Sequence, residues 1–233
     1  MTKIIGISGR KQAGKNTVAN IINGDVIKEL NMVEEFSINN SGQLNIKTIN
    51  KDGESGWGIF DVLRKDHEFL DYAEKSLFPY VKVYHFADYL KKISVELFDL
   101  TPQQVYGTDD DKNTDTPYGM TAREFLQYFG TDVMRKIKDT IWVDRTIKTI
   151  EEEGSTVAII PDVRFPNEVD AIHKAGGVCL RLTRDPFESD HACECALDHD
   201  KYDWDNFDGI VHNGEYKLPD LVQQLETFNW MWR

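Results

Sequence analysis

The stretch KIIGISGRKQAGKNT, residues 3–17, decides the fold. Its first six residues form a short apolar run of the kind that is buried in a parallel sheet. A glycine-containing loop follows, and from Lys15 to about Leu30 a helical pattern places apolar residues on one face. Strand, loop and helix in this order open a βαβ unit.

The loop between them has the spacing of a phosphate-binding P-loop. That pattern requires two glycines five residues apart, then Lys and then Ser or Thr, and here Gly9, Gly14 and Lys15 meet it. Backbone N–H groups and the helix N-terminus hold a β-phosphate, while the lysine reaches the β- and γ-oxygens. Asn16 stands where the hydroxyl is expected, and Thr17 carries it one residue later. Thr17 is therefore the candidate Mg²⁺ ligand, directly or through water; the alternative for the whole stretch is an ordinary strand-to-helix turn.

The rest of the chain alternates strands with helices. Further strands are predicted at 81–86, 156–160, 178–182 and 209–212, and helices at 87–100, 121–138, 140–153, 167–175 and 218–228. This order predicts an α/β fold of the P-loop NTPase type, a doubly wound, mostly parallel five-stranded sheet with helices on both faces and ligands at the carboxyl ends of the strands.

We expect a single domain, residues 1–233, that contains an insertion at 31–80. The insertion is polar, with a β-hairpin predicted at 35–47 around a Ser-Gly turn and a helix at 61–76. No role follows from its sequence. We expect that a short turn could replace the hairpin with little effect on acceptor chemistry.

Composition limits the classes of function. The chain has 233 residues and a net charge of −13, which argues against binding a polyanion over a broad face. It has no apolar run long enough to cross a bilayer and no secretory signal, and its three cysteines read as reduced thiols. We therefore expect a cytoplasmic protein with neither a membrane nor a nucleic acid polymer as partner. Its oligomeric state is open, with a homodimer as one alternative.

Two further clusters point to a phosphate ester as acceptor. The first is REFLQYFGTD at 123–132, and the second is PDVRFPNE at 161–168, directly after a predicted strand. The second cluster places Asp162, Arg164 and Glu168 where a doubly wound fold has its crevice. Arginine suits bidentate phosphate binding, and carboxylates suit sugar hydroxyls, base edges or hydrated Mg²⁺. Each residue also has an alternative: Arg164 could form a surface pair with Glu168, Trp142 could fill the core and Asp162 could cap a turn.

Together with HFADYLK at 85–91, these segments resemble the bacteriophage deoxynucleoside monophosphate kinase family. The resemblance covers most of the chain outside 31–80. It implies transfer of the γ-phosphoryl group of ATP, with Mg²⁺, to a deoxynucleoside monophosphate (dNMP), a small-molecule acceptor, giving the diphosphate and ADP. The acceptor phosphate is largely deprotonated at neutral pH, because its second pKa is about 6. No general base is then required, and catalysis consists of positioning and charge neutralisation.

The resemblance also implies site residues. Catalysis is assigned to Lys15, Arg164 and Arg184. The ATP site comprises Gly9, Lys11, Gln12, Ala13, Gly14, Lys15, Asn16 and Thr17. The acceptor contacts are Lys91, Lys112, Arg123, Gly130, Thr131, Trp142, Asp162, Arg164 and Glu168. Lys112 stands where the family has arginine, a change that loses bidentate geometry.

The polar segment 184–206 is in the expected place for a lid, which excludes water from phosphoryl transfer. Arg181 and Arg184 lie at its entrance and could neutralise charge on the transferring group. The sequence DHACECALD at 190–198 resembles the family's His-x-Ser-Glu-x-x-Leu-Asp pattern, with Cys in place of Ser. The alternative is a zinc site, although Cys-x-Cys spacing suits a tetrahedral site poorly. That site would use His191, Cys193, Cys195 and His199.

Other functions stay open at this point. The chain could be another small-molecule P-loop kinase, such as one resembling dephospho-coenzyme A kinase, or a nucleotide-binding regulatory module without transfer activity. A GTPase is disfavoured, because NKDG at 50–53 lacks the final Asp of the base-reading motif.

Overall fold

The computed structural model describes residues 2–49, 53–61, 67–186, 195–214 and 217–233, with 67–69 described by their backbone only. The strands are β1 (Lys3–Ser8), β2 (Glu35–Ile38), β3 (Leu44–Ile49), β4 (Ser55–Ile59), β5 (Val81–Val83), β6 (Val157–Val163), β7 (Val178–Leu182) and β8 (Gly209–Val211). The α-helices are α1 (Lys15–Glu29), α2 (His67–Ser76), α3 (Asp88–Phe98), α4 (Pro102–Tyr106), α5 (Asp109–Lys112), α6 (Ala122–Gln127), α7 (Arg135–Ile137), α8 (Ile141–Glu153), α9 (Pro166–Lys174) and α10 (Leu218–Glu226). A π-helix (Tyr128–Met134) joins α6 to α7, and 3₁₀ turns cover Trp204–Asn206 and Asn229–Met231.

Five strands form one parallel sheet in the order β5-β6-β1-β7-β8, which confirms the predicted fold class. The chain leaves β1 at the centre of the sheet, builds β5 and β6 on one side, and then crosses to β7 and β8 on the other side. The carboxyl ends of β1, β6 and β7 therefore border a topological switch point, where α/β sheets bind ligands.

Helices cover both faces of the sheet, and successive residues of β1 face opposite layers of helices. Ile5 and Ile7 are fully buried in the core that includes residues of α1 and α10. Gly6 points the other way, toward α9, since a Cβ built there would lie 2.7 Å from Ile172 Cδ1. This close approach of α9 to the sheet requires glycine at that position.

The chain separates into two compact units, Met1–Tyr84 with Ile150–Arg233 and His85–Thr149. The first unit holds both sheets. The second unit is helical and has a small core of its own around Leu100, Val105 and Phe125. The single-domain assignment stays a prediction. In the part of the chain that the structure describes, no helix is long and apolar enough to cross a membrane.

The insertion contains more structure than its sequence predicted. The hairpin is present as β2 and β3, and β4 adds a third antiparallel strand at its edge. Alternate residues of this small sheet, such as Phe36, Leu44 and Ile46, pack into the core that contains α1. Of the helix predicted at 61–76, residues 67–76 are helical and 62–66 lie outside the described residues.

Other boundaries also differ from those predicted. β5 ends at Val83, the helix predicted at 121–138 is interrupted by the π-helix, and α4 and α5 lie in a stretch for which no helix was predicted. β6 was predicted to end at Ile160, but it continues through Pro161 to Val163. The register between β1 and β6 shifts there, from Gly6 opposite Ile160 to Ser8 opposite Val163. A proline lacks the N–H that a regular ladder needs, and a bulge accommodates it.

Candidate active site

The phosphate loop lies between the end of β1 and the start of α1. Gly14 precedes the helix with φ of 99°, and Gln12 also has a positive φ, of 58°. The Ala13 N–H between them donates to the Arg10 carbonyl at 3.1 Å. Positive φ values at these two positions are typical of a concave backbone nest, and the helix N-terminus adds partial positive charge. Both features agree with the prediction that the loop binds a phosphate group.

The loop packs against the end of β7 and against the residues that follow β8. Gly9 is buried, and a Cβ built on it would lie 3.1 Å from Ala13 Cβ and 3.2 Å from Leu182 Cβ. Asn213 Nδ2 donates to the Ala13 carbonyl at 2.8 Å. These contacts fix the loop against β7 and Asn213.

The side chains predicted to line the ATP site differ in how far they are exposed to solvent. Lys11, Gln12 and Asn16 are exposed, whereas Lys15 is half-buried and its Nζ donates to the carbonyls of Gly9 and Arg10, each at 2.7 Å. The ammonium group therefore lies over the loop, where a phosphate would add its negative charge. Thr17 is half-buried in the first turn of α1.

An arginine pair beside the loop was not predicted. Arg10 donates through Nε to Asp198 Oδ1 at 3.1 Å, and Arg181 donates through Nη2 to the same oxygen at 3.2 Å. Arg181 Nη1 also donates to Ser8 Oγ at 3.0 Å. We call Arg10, Arg181 and Asp198 the Asp198 cluster. The cluster connects the phosphate loop (Arg10) and the end of β7 (Arg181) to Asp198, which lies within the predicted lid.

Electrostatics distinguish the two arginines. The hydrogen bond to Asp198 raises the pKa of Arg10, whereas burial lowers the pKa of Arg181, which is only 4% exposed. Arg181 was expected at the lid entrance as a group that neutralises the transferring phosphoryl. The structure pairs its guanidinium with the half-buried carboxylate of Asp198 and with Ser8 Oγ, and these contacts connect β7 to β1 and to the predicted lid. A role of Arg181 toward the phosphoryl group stays a prediction. The final Asp of the DHACECALD pattern was the sequence signal for this partner.

Arg184 follows β7 and is half-buried. Its backbone N–H donates to Asn213 Oδ1 at 2.9 Å, and the Asn213 N–H donates to Thr183 Oγ1 at 3.2 Å. The start of the predicted lid is thus fixed to the same asparagine that braces the phosphate loop. The catalytic role of the Arg184 side chain stays a prediction.

The second predicted cluster lies at the end of β6. Val163, between Asp162 and Arg164, pairs with Ser8, which directly precedes the phosphate loop. The backbone N–H groups of Arg164 and Phe165 donate to Glu168 Oε2 at 2.7 and 3.1 Å. Glu168 is 1% exposed, and its carboxylate caps the N-terminus of α9. This capping fixes the turn that carries Arg164.

The remaining acceptor residues belong to the helical unit. Gly130 and Thr131 lie in the π-helix, a distortion often found at functional sites. Gly130 is buried against Leu90, and its carbonyl accepts a hydrogen bond from Trp142 Nε1 at 3.0 Å. Trp142 is 5% exposed, so packing within this unit accounts for its side chain, as the alternative reading had it. Its contact with an acceptor stays a prediction.

Two cationic residues of this unit, Arg123 and Lys91, have anionic, amide or aromatic neighbours. Arg123 donates to Asp109 Oδ1 at 2.7 Å and to Asn113 Oδ1 at 3.0 Å. Lys91 Nζ lies 5.4 Å from the centre of the Tyr106 ring. Lys112, at the end of α5, is half-buried.

The proposed zinc ligands are only partly described. His191, Cys193 and the neighbouring Glu194 lie outside the described residues. Cys195 is buried and its Sγ accepts a hydrogen bond from Lys201 at 2.9 Å, while the His199 ring packs on Trp204. Within the described ranges, no group of three or more His, Cys, Asp or Glu side chains is arranged to hold a metal ion.

Comparison with known proteins identifies the family of the chain. The model of a family described as deoxynucleotide monophosphate kinase matches residues 60–221. The chain belongs to this family. The match includes Asp162, Arg164 and the whole helical unit. It also includes 60–80, which the sequence analysis placed outside the resemblance, and it does not include the phosphate loop at 9–17.

A relative from Acanthamoeba polyphaga mimivirus is provisionally named as a deoxynucleotide monophosphate kinase. It is 38% identical to the chain over 128 residues, which make up 48% of the chain and 66% of the relative. The chain thus spans just under two thirds of the length of this member of the family.

Proposed function

We propose that the chain transfers the γ-phosphoryl group of ATP to a deoxynucleoside monophosphate, giving ADP and the deoxynucleoside diphosphate. One observation carries the proposal. The pairing of Ser8 with Val163 places the phosphate loop, which follows Ser8, beside Asp162 and Arg164 at one edge of the sheet. A triphosphate site and a cationic acceptor group side by side are what in-line transfer between two phosphates needs.

In this proposal the loop nest and Lys15 bind the β- and γ-phosphates of ATP. Arg164 holds the acceptor phosphate, and the capping of α9 by Glu168 keeps the Arg164 backbone in place. The acceptor phosphate is itself the nucleophile, so the protein positions it and neutralises charge. The acceptor residues of the helical unit belong to the proposal through the family resemblance, and Arg184 belongs to it through its position at the entrance of the predicted lid.

Mg²⁺ would enter this site with ATP. It takes oxygen ligands in octahedral geometry and keeps several waters when phosphates supply part of its shell. The hydroxyl of Thr17, near the loop, and the carboxylate of Asp162, at the strand end, are donors of this kind, so the residues present fit the ion. When bound, it would neutralise phosphate charge. We further propose a cytoplasmic location, in the host if the chain is phage-encoded.

The test is ADP production from Mg·ATP with each candidate acceptor added singly. The panel comprises the four dNMPs, the four ribonucleoside monophosphates, dephospho-coenzyme A and no acceptor. We expect acceptor-dependent ADP with at least one dNMP, and its loss in Lys15→Ala without a change in folding. ADP formed only with dephospho-coenzyme A would favour the other kinase, and nucleotide binding without ADP from any acceptor would favour a regulatory module.

A further inference from the structure

The hairpin of the insertion ends in a well-defined turn, residues 39–43. Asn39 Oδ1 accepts hydrogen bonds from the backbone N–H groups of Ser41 and Gln43, at 2.9 and 3.0 Å. The Gly42 N–H donates to the Asn39 carbonyl at 2.9 Å, and Gly42 has φ of +77°. A side chain that satisfies two backbone donors and a glycine in the left-handed region make this turn rigid.

The turn lies against the first half of α1. Asn20 Nδ2 donates to the Gly42 carbonyl at 2.9 Å. A Cβ built on Gly42 would lie 2.3 Å from Thr17 Oγ1, so the glycine backbone packs directly on that hydroxyl. Further along the helix, a Cβ on Gly24 would lie 2.4 Å from the Phe36 ring. Residues 17, 20 and 24 share one helix face, and the hairpin follows that face up to the phosphate loop.

The contact with Gly42 involves the Thr17 hydroxyl, whose position in the sequence differs from that of the P-loop pattern. Thr17 carries the hydroxyl of the motif one residue late, in the first turn of α1. Threonine in a helix divides between two side-chain rotamers, because its hydroxyl can bond a carbonyl of the preceding turn. A buried wall at Gly42 restricts that choice, and the Asn20 hydrogen bond holds the wall in place.

We propose that the hairpin turn is a positioning element of the ATP site, in which Gly42 and Asn20 set the orientation of the Thr17 hydroxyl toward Mg·ATP. The proposal rests on the proposed kinase function. It also revises the expectation that the hairpin could be replaced with little effect: acceptor binding should tolerate the replacement, and Mg·ATP binding should not.

The chain offers a matched control for the test. Gly42→Ala introduces a Cβ into the Thr17 contact at a residue with positive φ. Gly53, which lies between β3 and β4, has φ of +82°, and among the described residues no atom lies within 4 Å of a Cβ built there. Gly53→Ala therefore reproduces the backbone strain without the contact. Asn20→Asp keeps the side-chain shape but replaces the donor to the Gly42 carbonyl with an oxygen.

The main measurement is the Kd for ATP by calorimetry, once with Mg²⁺ and once with EDTA. The KM for the acceptor is measured for comparison, and the midpoint of urea unfolding shows whether each variant is folded. Loss of a group that orients a metal ligand weakens binding by about 10–100-fold. We expect Gly42→Ala and Asn20→Asp to raise the Kd for Mg·ATP by about tenfold. The Kd in EDTA should rise less, and the acceptor KM should stay as in the wild type.

Three results would overturn the proposal: wild-type Mg·ATP affinity in folded Gly42→Ala, an equal loss in Gly53→Ala, or equal losses with Mg²⁺ and with EDTA. If Gly42→Ala does not fold, Asn20→Asp decides by the same criteria. Wild-type protein that binds Mg·ATP but phosphorylates no acceptor would refute the proposed function alone, because the binding measurements still decide the role of the turn.

Discussion

Asp198→Asn tests how much the Asp198 cluster contributes to stability. The carboxylate accepts hydrogen bonds from Arg10 and from Arg181, and the latter side chain is almost completely buried. An amide in place of this carboxylate would leave the Arg181 charge in the interior without a carboxylate hydrogen-bonded to it, beside the hydroxyl of Ser8 and a neutral oxygen. Breaking a buried ion pair by removing one partner costs about 3–5 kcal/mol. Because Asp198 keeps 14% of its side-chain exposure and asparagine keeps an acceptor oxygen, we expect about 3 kcal/mol.

The assay is urea unfolding followed by circular dichroism and by tryptophan fluorescence, since Trp204 lies 5.1 Å from the Arg181 guanidinium. For a chain of this length, about 3 kcal/mol corresponds to a fall in Tm of roughly 6–12 °C. Asp185→Asn is the control, because Asp185 also contacts Arg10, at 3.2 Å, but is 44% exposed. Its loss should be below about 1 kcal/mol. Equal effects of the two substitutions would refute the reasoning that the buried Arg181 charge depends on Asp198.

Three further perturbations test other parts of the molecule. Arg164→Ala should lower kcat/KM for the dNMP by about a hundredfold and leave ATP binding unchanged; altered ATP affinity with normal dNMP kinetics would place Arg164 on the other substrate. Burial on its own would raise the pKa of Asp25, but hydrogen bonds from Arg233 and Trp232 lower it. A depressed carboxyl pKa contributes stability that is lost as pH falls, so Arg233→Gln should destabilise the protein at pH 7 and the difference should shrink below about pH 4; a difference independent of pH would contradict this. Purified protein should contain no stoichiometric zinc, and a chelator should leave Tm unchanged; one zinc per chain would show that the cysteine-rich part of 184–206 is a metal site.

The sequence predicted the fold where its signals are local. β1, the loop and α1 follow from an apolar run, two glycines and a helical period in immediate succession, and β7 ends where predicted. The third strand of the insertion was missed because SGWGI, with two glycines, is a weak strand former, and only pairing with β3 makes it one. The π-helix was missed because its hydrogen-bond pattern leaves no period in the sequence.

For the candidate site, the sequence named candidate residues but not their partners. Its motif residues could be named because glycine, lysine and arginine spacing carries the chemistry. The partners of those residues could not, because Asp198 is 188 residues from Arg10 and Asn213 is 200 from Ala13. Contacts at such separations depend on the order of strands in the sheet, which the chain's local pattern does not contain.

Asn213 connects three segments through a single side chain. Its amide nitrogen donates to the carbonyl of Ala13 and its amide oxygen accepts from the N–H of Arg184. Aspartate would keep the second bond and place an oxygen against the Ala13 carbonyl, leucine would lose both, and glutamine would add a methylene to a buried position. Of these four residues, only asparagine makes both hydrogen bonds in the space available. A substitution at Asn213 would therefore act on the phosphate loop, on the segment after β7, or on both at once.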